Sequence, residues 1–133
     1  MEKKKIIKVR SAVAETVPLS PGVSFGRLLF VSGQVSKDLN TGSPRPGAIE
    51  EETEQVLQNV EAILKEAGSS FECVLKTTVF LRDIKDFPRM NEVYKKHFPV
   101  GSPARSTVGV SLAGDYKVEI EAVAYVPEKK SKD

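Results

Sequence analysis

Between Ile49 and Ala67 the apolar residues Val56, Leu57, Val60, Ile63, Leu64 and Ala67 fall at i, i+1, i+4, i+7, i+8 and i+11, one continuous helical stripe. A helix this one-sided persists only against another apolar surface, so the rest of the chain has to supply one. Glu50, Glu51, Glu52 and Glu54 crowd its first turns, where negative charge complements the helix dipole, and they read as a solvated face. Gly68 is placed as its C-terminal glycine. A second helix follows, with Asp86 as its cap and Pro88 tolerated in its first turn. Its stripe is Phe87, Met90, Tyr94 and Phe98, and Pro99 ends it. Asn91 lies on that same stripe. An amide on a buried face needs partners, and a nearby backbone group is the first expectation, ahead of a role in a site.

The surface these helices need is supplied by β-rich runs. Lys5–Val9 suits a short first strand, and RLLFVSGQ (27–34) a longer one after the Pro/Ser-rich VPLSPGV. Residues 36–48 carry two Pro, two Gly, an Asn and an Asp and read as loop. Phe71–Arg82, Ala104–Leu112 and Lys117–Val126 complete the set. The order β-β-α-β-α-β-β, with room for one more short strand around Val35, predicts an α+β fold: a mixed sheet with two helices on one face. The other face is expected to retain apolar residues, with Val79, Val108, Val110, Val118 and Ile120 assigned to it, which points to self-association.

One domain is the expectation for 133 residues, 40% of them hydrophobic and 29% charged. The net charge of +2 hides a division: the ends, 1–10 and 128–133, together carry +5, leaving 11–127 at −3. A nucleic-acid-binding body concentrates basic charge on its folded face, so nucleic acid is not an expected partner and the ends read as solubilising tails. A single cysteine, Cys73, excludes an intramolecular disulfide and suits a reducing compartment. With no apolar run long enough for a signal peptide or a membrane span, the cytoplasm is the expected location. One His and one Cys build no ordinary zinc site, no acidic cluster has metal-loop spacing, and phosphate-cradling glycine motifs are absent. Neither metal nor organic cofactor is therefore expected. His97, the histidine any Ser-His-Asp triad would need, reads as a surface or core-edge residue.

Chemistry is left to the last two strands. In PARSTVGV (103–110) Ala104, Ser106, Val108 and Val110 alternate on one face and Arg105, Thr107 and Gly109 on the other. If the two strands form a hairpin through the turn at 113–115, Gly109 faces Glu119 and Thr107 faces Glu121. Arg105 then shares a face with both glutamates. A guanidinium fork suits a carboxylate, a nearby glutamate suits a general base, and Gly109 leaves room for a ligand or for a neighbouring chain. The same spacing equally describes a cross-strand ion pair on a solvated sheet.

FVSGQ (30–34), the TG of NTG (40–42), QVLQNVEAILKEAGSS (55–70), LKTTVFLRDIKDFPRMNEVY (75–94) and PARSTVGVSLAGDYKVEIEAVA (103–124) together resemble the RidA (YjgF-type) family, also described as endoribonuclease L-PSP or translation inhibitors. The resemblance spans roughly residues 5–126. It implies a chorismate-mutase-like fold and a homotrimer with sites between subunits. It also implies cofactor-free hydrolysis of reactive 2-imino and 2-enamino acids, such as 2-aminoacrylate, to 2-keto acids and ammonia. Residue by residue, it makes Arg105 the group that binds the substrate carboxylate. Glu119 becomes the acid that positions the attacking water, with Glu121 structural. Ser32 and Gly33 become cleft-lining residues, and Asn91 a site residue. Two positions depart from the family pattern: Leu19 stands where an aromatic is usual, and Thr107 where a cysteine is. Thr107 keeps a hydroxyl, whereas Leu19 removes one. Leu19 favours the rival reading of a non-catalytic small-carboxylate binder or regulator that uses the same cleft.

Overall fold

A computed structural model describes residues 2–9 and 17–128. Arg10 and residues 129–133, which hold part of the basic tails, lie outside the described residues. The strands are β1 (Lys5–Ile7), β2 (Gly22–Phe25), β3 (Leu28–Val35), β4 (Val74–Leu81), β5 (Ala104–Gly109) and β6 (Val118–Tyr125); the helices are α1 (Ile49–Glu66) and α2 (Phe87–His97). They form one six-stranded sheet in the order β1-β2-β3-β6-β4-β5, parallel between β4 and β5 and antiparallel elsewhere. The α+β architecture is the expected one. β2 was hidden in the sequence by its neighbours Pro21 and Gly26, and the extra strand expected around Val35 is the end of β3.

Both helices lie on one face. Val56, Leu57, Val60, Ile63 and Leu64 of α1 bury against Leu29 and Val31 of β3, Val79 and Leu81 of β4, and Val118, Ile120, Ala122 and Ala124 of β6. Val79, Val118 and Ile120 therefore belong to the covered face, contrary to their sequence assignment. The open face carries Phe25, Leu28, Phe30 and Val108 instead, each between 41% and 52% exposed. Gly68, at φ +83°, terminates α1 as expected. Asp86 occupies the N-cap of α2 but makes no capping bond; the side chain of Asp83 caps the preceding turn by accepting from the Lys85 N–H at 3.0 Å. Among the described residues no helix is long and apolar enough to cross a membrane.

The expected hairpin does not form. β6 inserts between β3 and β4, and β5 is displaced to the sheet edge beside β4. Arg105 is in register with Thr77, and Glu119 with Phe80. Thr77 is buried on the helix side, whereas Phe80 alternates to the open side, so Arg105 and Glu119 lie on opposite faces. The hairpin reading failed because a short connecting turn does not oblige two strands to pair. The helix between β4 and β5 is long enough for a parallel crossover, and parallel pairing wins.

β3 carries a bulge. Val31 pairs with Ala122 and Gln34 with Ile120, so Ser32 and Gly33 together oppose Glu121. The alternation reverses there: Leu29 and Val31 point inward before the bulge, Gln34 and Ser36 after it. Leu57, fully buried between the helices and the sheet, tests the core. Leu57→Ala is expected to cost about 3 kcal/mol with an unchanged denaturant slope, measured by urea unfolding.

Candidate active site

On the helix side, β5 presents Arg105 to α2. Its Nη1 donates to Asn91 Oδ1 at 2.8 Å, so the expected backbone partner of Asn91 is in fact a guanidinium. The guanidinium carbon sits 4.7 Å from the ring centroid of Tyr94 and 5.4 Å from that of Phe87, a bed of aromatic faces that attracts a cation. Tyr94 is itself anchored, sharing a 2.6 Å hydrogen bond with the buried hydroxyl of Thr77. Burial pushes the Tyr94 hydroxyl up, against the opposing pull of Thr77 and Arg105, so it remains a neutral phenol beside the cation. Phe87, Asn91 and Tyr94 repeat at i, i+4 and i+7 along one helix face. Phe87, expected in the core stripe, is 37% exposed and lies at the rim. Thr107 shares this side of β5 and is half-buried, in register with Val79. At Gly109, which is exposed, a Cβ would stand 3.2 Å from that of Ile84, so the glycine serves close packing against that side chain.

On the open side, Glu119 leans over the bulge of β3. A Cβ at Gly33 would overlap the Glu119 carboxylate, coming within 2.9 Å of its Cδ; the glycine exists to admit that carboxylate. Ser32 fixes the bulge by donating its N–H to the Pro21 carbonyl at 2.9 Å and its Oγ to the Ser20 carbonyl at 2.6 Å. This ties the residues that follow the exposed Leu19 to Ser32 of the bulge. The amide of Gln34 donates to the Ser32 carbonyl at 3.1 Å from the other side. Burial, reinforced by the neighbouring Glu121 charge, raises the Glu119 carboxyl above its ordinary value. Such a group takes up a proton more readily than a solvated glutamate.

The candidate residues thus fall into two sets. Arg105, Thr107 and Asn91 gather on the helix side, and Glu119 with the bulge residues Ser32 and Gly33 on the other, while Leu19 lies in the segment bonded to Ser32. Arg105 and Glu119 are separated by one intervening strand and three register positions, about 10 Å across the sheet and about 10 Å along it. Sequence reasoning missed Tyr94 and Phe87 as the bed of Arg105. Their helical spacing was visible, but the strand beneath them was not. Elsewhere, His97 bonds through Nε2 to Glu54 Oε2 and packs against Phe71, a core-edge position as expected. Among the described residues no three of His, Cys, Asp and Glu stand close enough together to hold a metal ion.

The fold is an α+β sheet that holds a guanidinium on one face and a partly buried carboxylate on the other. The model of the family described as Endoribonuclease L-PSP matches residues 9–126, and the chain belongs to that family. It is 43% identical over 122 residues to the mouse protein named 2-iminobutanoate/2-iminopropanoate deaminase, covering 91% of this chain and 90% of that one. It is 41% identical over 123 residues to Reactive Intermediate Deaminase A, chloroplastic, of Arabidopsis thaliana, covering 92% of this chain and 66% of the relative. Among solved structures, that titled E. coli TdcF with bound serine superimposes with a TM-score of 0.83 at 39% identity, covering 91% of this chain and 98% of that one. The chorismate-mutase-like arrangement implied by the sequence resemblance is the observed one.

The overlap at Gly33 makes a sharp test. Gly33→Ala is expected to leave the fold intact, to displace the Glu119 carboxylate toward solvent, and to lower its pKa toward the ordinary glutamate range. Carboxyl NMR titration of the variant against the parent protein measures this.

Proposed function

We propose that the protein hydrolyses reactive 2-imino and 2-enamino acids to 2-keto acids and ammonia. In this reading it works as a single-domain cytoplasmic homotrimer with its sites between subunits, without metal or organic cofactor. The observation that carries the reading is the placement of Arg105 and Glu119 on opposite faces of one sheet, each in a prepared setting. One chain does not bring both to a small substrate, so the Glu119 face of a neighbouring copy has to complete the Arg105 face. The exposed Phe25, Leu28, Phe30 and Val108 support such assembly, since an apolar sheet face of this kind is normally covered. The mouse and Arabidopsis relatives carry deaminase names, and the serine-bound relative is titled with a small amino acid as its ligand.

The chemistry follows from the groups present. Arg105, planar and held by Asn91, binds the substrate carboxylate bidentately and orients the adjoining imine carbon. Glu119 removes a proton from water as the water oxygen bonds to that carbon. The proton held by Glu119 passes to the nitrogen and completes a carbinolamine. Its hydroxyl proton then passes to the nitrogen through the same carboxylate, the C–N bond breaks as the C=O bond forms, ammonia leaves and the 2-keto acid remains. The enamine form reaches the same path after protonation at its β-carbon. Because an imine carbon is already electrophilic, one clamp and one base suffice. Thr107, Ser32, Gly33 and Asn91 line the cleft, and Leu19 contributes an apolar wall where an aromatic hydroxyl is usual. Nucleic acid has no place in this reading.

Arg105→Ala is expected to abolish accelerated keto-acid release from freshly generated 2-aminoacrylate while assembly, followed by light scattering, persists. Unchanged release would sink the proposal. Saturable 2-keto acid binding by the parent protein, with no acceleration of any imine, would decide for the binder. The pH profile is a separate check. Glu119 works deprotonated, so the rate falls as pH drops through its pKa. Because burial raises that pKa, the fall begins at higher pH than for a solvated glutamate. In Glu119→Gln the acid limb is lost along with most of kcat, while keto-acid affinity remains.

A further inference from the structure

The sequence places Glu52 among four glutamates of a solvated helix start, but the structure buries it to 1% exposure, alone among the acidic side chains of the described residues. Its Oε1 accepts the backbone N–H of Lys117 at 3.0 Å. Its Oε2 accepts the N–H of Gly47 at 3.4 Å and the ammonium of Lys117 at 3.3 Å, and that ammonium donates to the Gly47 carbonyl at 2.7 Å. Lys117 is held from the other side as well, its carbonyl accepting the N–H of Arg82 at 3.0 Å. Both backbone groups of this residue are therefore fixed, one to α1 and one to the end of β4.

A buried ion pair is a poor device for stability, because desolvation offsets most of the attraction and an apolar pair packs as well. The place of this one suggests another use. Lys117 immediately precedes β6, and Glu119 is the second residue of that strand, where pairing is most easily frayed. The connection before Lys117 offers little restraint: Gly114 adopts φ +119°, and the Arg82–Asp115 ion pair there is formed by an aspartate 96% exposed. We infer that Glu52 is a positioning residue, which clamps the Lys117 N–H to fix the entry of β6 and so seats the Glu119 carboxylate against Gly33. The inference rests on the reading of Glu119 as the catalytic carboxylate. Glu121 on the same strand is the charged group that acts on Glu119; its register neighbours Val35 and Phe80, and Gly33 beneath it, do not titrate.

The test replaces the pair together, Glu52→Leu with Lys117→Met, removing the clamp without stranding a charge. The double variant is expected to fold and to bind 2-ketobutanoate as the parent does, through Arg105. Its kcat on 2-iminobutanoate falls about tenfold or more, as expected for a misplaced catalytic group, and its Glu119 carboxyl, followed by NMR, titrates nearer the ordinary range. Glu52→Gln keeps an acceptor for the Lys117 N–H and is expected to restore kcat and the Glu119 titration. A folded double variant with unaltered kcat and Glu119 titration overturns the inference, as does a Gln variant that behaves like the double one. In the parent protein the Lys117 amide is expected to exchange with solvent as slowly as that of Ile120; fast exchange overturns the clamp whatever the variants do. Absence of imine hydrolysis by the parent would sink the proposed function alone, leaving the NMR and exchange measurements to judge Glu52.

Discussion

The structure hangs on β6. It pairs with β3 on one side and β4 on the other, and its inward residues Val118, Ile120, Ala122 and Ala124 are almost completely enclosed by the helices. Once this last strand takes the middle of the sheet, β5 has only the far edge of β4 available. A parallel neighbour has to be reached by a crossover, and α2 is that crossover. The helix therefore lies above β4 and β5, and its Asn91 and Tyr94 descend onto Arg105. The setting of the arginine follows from where another strand sits.

The helices were legible because a one-sided apolar stripe is a local signal that tertiary context rarely overturns. Strands rich in β-branched residues were legible for the same reason, although the four residues of β2 were too few to stand out beside Pro21. Arg105 and Glu119 could be singled out by type and motif. Their relation could not, because strand pairing is decided by the whole sheet and not by the shortness of the turn between two runs. The one available clue, a helix-length connection between β4 and β5, argued for parallel pairing and against the hairpin. Glu52 was misread for a different reason: nothing in its identity distinguishes it from Glu50, Glu51 and Glu54. Its fate is set by a lysine 65 residues away.

Keeping Arg105 and Glu119 on opposite faces has an electrostatic logic. Paired directly, they would neutralise one another, holding the carboxyl in its ionised form and occupying the guanidinium. Instead Arg105 rests on aromatic rings and a neutral amide, which restrain it without satisfying its charge. Glu119 is partly buried and has the Glu121 carboxylate beside it, and both, burial first, keep its affinity for a proton high. Each group is left without a direct charge partner of opposite sign, and within one chain the sheet keeps the two apart.

The two-for-one bulge at Ser32 and Gly33 makes β3 a strand of two opposite phases. Its first half buries odd-numbered side chains, its second half even-numbered ones, and the crossing point is where the Glu119 carboxylate rests. Loss of a single residue there would restore simple alternation with Gln34 and Ser36 still facing inward, but it would remove the bulge that makes room for the carboxylate. Smoothing the bulge at unchanged chain length would instead turn Val35 inward and eject Gln34 and Ser36. The two bulge positions have no freedom to lose or gain a residue. Chain length at this one point is as much a part of the site as any side chain in it.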